Sequence, residues 1–204
     1  MHRFPLITLA LGLLSCAFML LPAPLQAFLH LDLESISQAH FVGLISGHWL
    51  HADPQHLLWN VAAFAILGSM IEQRSRTLLL WSLAVGTLFV DLLLISPLTD
   101  IQRYCGLSGV LNTLLGAALY LQWRATRSTV VILIGFLSVL KIVIELSYGH
   151  SIFTDISWPP FPLAHLAGLL ATPVAIGCFS VGRMASNRPA STTIRNCNGH
   201  LVTS

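Results

Sequence analysis

The chain has 204 residues, 55% of them hydrophobic and 9% charged, with a formal net charge of +2 and a mean hydropathy of +0.77. A soluble domain carries about 25% charged residues, so this chain cannot cover itself with a polar surface and reads as a polytopic membrane protein. No basic stripe points to nucleic acid, and Cys16, Cys105, Cys178 and Cys197 have neither zinc nor redox spacing, nor the pattern of a disulfide framework.

A spanning helix needs about 20 apolar residues. The first run, 4–21, contains Leu14-Ser15-Cys16, which has the look of a lipoprotein cleavage box. It continues past Cys16 to Leu21, and that length suits a retained first helix better than a short signal core. A polar segment, 22–55, leads to the second span at 56–72, after Pro54. The third, 77–96, is closed by Pro97, and the fourth, fifth and sixth are expected at 107–123, 128–147 and 162–182. Residues 1–185 thus form an all-α six-helix membrane domain, and 186–204 a polar tail expected to be disordered. With the N-terminus in the cytoplasm, the inner segments hold Arg3, Arg74, Arg76, Arg124, Arg127, Arg183, Arg188 and Arg195, and the outer loops only Arg103. That bias predicts both termini cytoplasmic. Trp49 and Trp158 then read as interfacial anchors.

In this topology Ser108 lies near the outer end of the fourth span and His165 near the outer end of the sixth, at matched depth. A polar side chain there is costly and faces the bundle interior. Alone, Ser108 also reads as a helix cap or small packing residue, and His165 as a structural histidine. Together they have the chemistry of acyl transfer, since a serine hydroxyl becomes a nucleophile when a base takes its proton. His56 and Asn60 are four apart, so they share a face of the second helix near its outer end. With the backbone N–H of Ser108 they suit an oxyanion hole, where each donor is worth about 3–4 kcal/mol. The rival is a metal site of His48, His51 and His56, but no HExxH motif or acidic ligand at helical spacing accompanies them.

Taken in order, His51, His56 and Asn60, then Gly106-Leu107-Ser108-Gly109, then Ala164-His165 with Gly168, resemble the rhomboid intramembrane serine proteases, over nearly the whole chain. Glu72, closing the second helix, also looks rhomboid-like. The resemblance implies a rhomboid-like bundle with Ser108 as nucleophile, His165 as general base, His56 and Asn60 as oxyanion donors, and His51 in support. It implies a Ser-His dyad needing no metal or other cofactor. The chain departs from many rhomboids in three places. The first loop has no Trp-Arg pair, Asn112 stands where a tyrosine often packs on the catalytic histidine, and Thr172 stands where a second glycine follows Gly168.

The compact form, with "GLSGVLN", "LKIVIEL" and "HLAG", looks like the rhombosortase branch. That resemblance implies cleavage of a C-terminal anchor, made of a glycine-rich motif, an apolar helix and a basic tail, from exported bacterial proteins. The enzyme would sit in the bacterial inner membrane with its site open to the periplasm, its partners being the lipid bilayer and proteins carrying a C-terminal transmembrane segment. The alternatives are a rhomboid of broader specificity, cutting transmembrane helices near their outer ends, and an inactive rhomboid-like protein that binds membrane clients.

Three charges remain inside the spans. Lys141 and Glu145 are four apart on the fifth helix and share a face; Asp91 lies on the third. They read either as a buried structural network or as a candidate substrate route, with Lys141 and Glu145 binding backbone near a glycine-rich cleavage site. Gly109 and Gly116 on the fourth helix, and Gly168 on the sixth, are expected to let those helices approach closely.

Overall fold

The computed structural model describes residues 4–148 and 161–186, and the residue pairs 194–195 and 201–202. The helices are α1 (Leu6–Met19), α2 (Ala23–Leu29), α3 (Leu33–Ser37), α4 (Gly43–Ser46), α5 (Pro54–Arg74), α6 (Arg76–Leu94), α7 (Ser108–Thr126), α8 (Thr129–Tyr148) and α9 (Pro162–Ser186). A 3-10 turn, Gly47–Trp49, follows α4. Strands β1 (Leu31–Asp32) and β2 (Arg103–Tyr104) pair antiparallel, as do β3 (Ile194–Arg195) and β4 (Leu201–Val202) in the tail. The expected anchor Trp158, and the tail apart from β3 and β4, lie outside the described residues.

Each expected span coincides with a long helix, and the punctuation explains the boundaries. Pro54 opens α5 at a position whose N–H has no helical partner, and Asp53 caps it by accepting from the His56 amide at 2.7 Å. Ser75 ends α5 and begins α6, where its hydroxyl accepts from the Leu78 amide at 3.2 Å. Arg127, in the left-handed region at φ 52°, turns the chain out of α7.

Among the described residues, α6, α8 and α9 are long and apolar enough to cross a membrane on those grounds alone. Helix α1 is apolar but shorter, while α5 and α7 are diluted by His56, Asn60 and Glu72 and by Ser108, Asn112 and Thr113. The two helices that fall short by composition carry His56, Asn60, Ser108 and Asn112 among the polar candidate residues.

The centre is α6, α7 and α9, brought together by small residues. A Cβ on Gly168 would land on the Gly109 carbonyl oxygen, so α7 and α9 touch backbone to backbone. Thr113 Oγ1 donates to the Gly168 carbonyl at 2.6 Å across the same contact. A turn further in, a Cβ on Gly116 would collide with Thr172 Oγ1. The threonine that replaces an expected glycine on α9 therefore sits in space vacated by a glycine on α7.

The flanks are held differently. Only 17% of the apolar stretch of α8 is buried in the protein, against 50% for α6, and Leu133, Phe136, Leu137 and Leu140 point outward. Helix α1 is docked by Glu72 of α5. Pro5 gives α1 no side-chain cap, and the fully buried Glu72 carboxylate instead accepts from the Ile7 and Thr8 amides at 3.0 and 2.8 Å and from Thr8 Oγ1 at 2.9 Å. These are amides that a first helical turn leaves unpaired, at the positive end of its dipole.

Candidate active site

The site is assembled where α7 and α9 begin. Ser108 is the first residue of α7, and its approach is shaped by Gly106. Gly106 has φ +119°, a region that glycine enters freely. A Cβ there would lie 2.6 Å from His56 Cε1, so the position needs glycine for space as well. The Gly106 amide donates to the Gly47 carbonyl at 3.1 Å, fixing the stretch against the first loop.

Ser108 Oγ lies 3.1 Å from His165 Nε2, and His165 Nδ1 lies 3.0 Å from Glu145 Oε2. The other carboxylate oxygen, Oε1, is 2.6 Å from Lys141 Nζ. Glu145 is fully buried and His165 is 8% exposed, so the middle of this chain of contacts is nearly closed to water, while Ser108 is half-buried and Lys141 partly exposed. The four residues come from three helices, α7, α8 and α9. Geometry of this kind lets a serine lose its proton to an imidazole whose far nitrogen is held by a carboxylate.

His56 and Asn60 lie on the α5 face beside Gly106, the built Cβ of which is 2.8 Å from His56 Nε2 and 3.8 Å from Asn60 Nδ2. Both residues are buried, and His56 Nδ1 and Asn60 Nδ2 have no hydrogen-bond partner among the described residues. A buried donor without a partner costs about 1–3 kcal/mol, which makes these atoms candidates for a ligand that arrives later. His51 meets His56 edge to face at a centroid distance of 4.9 Å. Its Nδ1 is 3.3 Å from Ser15 Oγ, a hydroxyl that donates to the Trp49 carbonyl at 2.7 Å. Burial first, and then neighbouring His56, push the His51 imidazole down to about 3, so it is neutral and serves as a packed spacer between α1 and α5. Ser15, met in sequence as part of a cleavage-box look-alike, is thus a buried contact of the first loop.

The remaining candidates divide clearly. Asn112 Nδ2 donates to the Ser108 carbonyl at 2.9 Å, so it braces the first turn of α7. Gly109 and Gly168 form the backbone contact described above, and a Cβ on Gly109 would also meet Val90 Cγ2 at 2.8 Å. Asp91 is engaged elsewhere. Its Oδ1 is 2.9 Å from His48 Nε2, tying α6 to the 3-10 turn, and His48 packs edge-on against Tyr104 at 5.6 Å. Lys141 and Glu145 pair with each other, and the Glu145 carboxylate also reaches His165. Sequence reasoning missed that contact, although Glu145 lies as close to the C-terminal end of its helix as His165 does to the N-terminal end of the next.

No curated protein matches the chain significantly. Residues 38–180 match the model of the Rhomboid domain, a stretch that holds Ser108, His165, His56, Asn60 and Glu145. The match takes in well over half of the 204 residues, and the chain is therefore a membrane protein belonging to the rhomboid family, whose members are intramembrane serine proteases acting on membrane proteins within the bilayer.

Proposed function

We propose that the chain is an intramembrane serine endopeptidase in which Ser108 is the nucleophile and His165 the general base. The observation that carries the reading is the 3.1 Å contact between Ser108 Oγ and His165 Nε2 inside a rhomboid domain. The hydroxyl proton passes to Nε2 as Oγ attacks the scissile carbonyl. The negative oxygen that forms is met by the Ser108 N–H at the positive end of α7, by His56 and by Asn60. Collapse expels the amine, which takes the proton from His165, and water then opens the ester by the same route in reverse.

Six spans with both termini in the cytoplasm are favoured by the arginine distribution, and they put the site toward the periplasmic face of a bacterial inner membrane. The preferred substrate is an exported protein bearing a C-terminal glycine-rich motif, an apolar helix and a basic tail. Glycine suits the cut, because a helix must unwind before its amide is attacked and Gly weakens a helix by about 1 kcal/mol relative to Ala.

The test is cleavage of a co-expressed reporter ending in such an anchor, by the wild type and by Ser108→Ala at equal abundance. Wild-type cleavage that Ser108→Ala abolishes is the expected result. Equal cleavage by both would remove Ser108 from the mechanism. Cleavage of ordinary transmembrane substrates but not of this reporter would keep the protease and discard the anchor specificity.

A further inference from the structure

We propose that Glu145 is a positioning residue that extends the Ser108–His165 pair into a three-membered relay, with Lys141 holding its carboxylate in place. The proposal rests on reading Ser108 and His165 as nucleophile and base, and goes beyond the dyad and the substrate-route role considered for Lys141 and Glu145.

The atoms lie in series. Ser108 Oγ is 3.1 Å from His165 Nε2, and across the ring Nδ1 is 3.0 Å from Glu145 Oε2. A carboxylate can only accept, so Nδ1 carries the proton, and the Nε2 lone pair faces the serine hydroxyl. That is the tautomer a general base needs. When Nε2 takes the serine proton, the imidazolium forms beside Glu145, which neither gains nor loses a proton. When the leaving amine takes that proton from Nε2, the ring returns to its starting tautomer.

Two further observations favour this role over a contact with substrate. Glu145 is fully buried without any substrate present, so a peptide has no access to its oxygens. Lys141, by contrast, is 38% exposed at its side chain and directs Nζ inward onto Oε1 at 2.6 Å. The Lys141–Glu145 pair is neutral overall, which lessens the cost of keeping a carboxylate in an apolar bundle. The two contacts also occupy different oxygens, so the carboxylate cannot turn without breaking one of them.

The experiment compares kcat and KM for the full chain in proteoliposomes, using a transmembrane reporter that the wild type cuts, with Glu145→Gln and Lys141→Met. Glutamine keeps the shape but lets an amide N–H face Nδ1, which favours the wrong tautomer. The expected result is a kcat lower by about 10²–10⁴-fold for Glu145→Gln, with KM close to wild type. Lys141→Met is expected between the two. A Glu145→Gln kcat close to wild type overturns the proposal, as does a raised KM with kcat unchanged, which would mark Glu145 as a substrate contact. If Glu145→Gln does not fold, Lys141→Met decides: a lowered kcat at unchanged KM supports the relay, and wild-type kinetics overturn it. A wild type that cuts no membrane reporter sinks the protease reading itself, whereas a cutting wild type with an equally active Glu145→Gln sinks only the relay.

Discussion

The centre of the bundle and its flanks are held together by opposite means. Between α7 and α9 the contact is backbone on backbone, opened by Gly168 and Gly109 and closed by the Thr113 hydroxyl. At each flank a buried glutamate makes the join: Glu72 docks α1, and Glu145 links α8 to α9. Small residues suit the centre, because helices in lipid gain little from burying more apolar surface and depend on close packing. Buried carboxylates suit the flanks, because a charged hydrogen bond in a low dielectric holds a helix that otherwise faces lipid. Ser108 and His165 thus stand on the closely packed pair of helices, and the partner of His165 comes from a helix that is mostly exposed in the protein.

Beyond the Glu145 relay, the contrast is broken most severely at the centre. In Gly168→Ala the new methyl meets the Gly109 carbonyl, so α7 and α9 must separate. A displacement of about 1 Å at reacting groups can cost about 100-fold in rate, and a loss of that size in reporter cleavage is expected, with a lowered thermal midpoint. A rate near wild type would show that the backbone contact does not set the Ser108–His165 distance. At the flank, Glu72→Gln cannot accept at both oxygens from the Ile7 and Thr8 amides. The expected loss is about 1–3 kcal/mol, read as a lower thermal midpoint, with faster proteolysis near α1 and a smaller effect on kcat than Gly168→Ala. Unchanged proteolysis near α1 would mean that apolar packing alone docks that helix.

The smallest effect is expected at the rim, where Asp32 and Arg103 pair at 2.8 Å beside the β1–β2 ladder. Burial raises the Asp32 carboxyl, but the Arg103 hydrogen bond and the Ser35 and Glu34 amides outweigh it and hold it below 3.8. A folded-state pKa below the unfolded one contributes stability above the unfolded value, and that contribution is lost as pH falls through the folded value. Asp32→Asn should therefore cost about 1 kcal/mol or less at neutral pH, as solvent-exposed ion pairs do. The gap from wild type, followed by thermal unfolding, should narrow on acidification; a widening gap would contradict the assignment.

Much of the architecture is legible because apolar runs are long and some of their ends are marked by Pro54 and Pro97. The juxtaposition of Ser108 and His165 is legible from position, since each stands at the N-terminal end of its apolar run beside small residues. The first loop is not legible. Its helices are short, down to four residues in α4, and are held by contacts with distant chain: Ser46 Oγ donates to the Leu29 carbonyl, and β1 pairs with β2 some seventy residues on. The Glu145–His165 contact escapes for a related reason. Helical spacing reveals that Lys141 and Glu145 share a face but not which neighbour that face meets. Glu72 is legible as a motif residue, yet two of its partners are the Ile7 and Thr8 backbone amides, which carry no signature in sequence.

The meeting of Gly116 with Thr172 also couples what each position can hold. The bulk at 172 fits only because 116 is bare, so the two positions are one steric unit written in two places. A chain that kept bulk at 116 could not accept threonine at 172 without driving the two helices apart. Any search for tolerated change at either site therefore has to vary both.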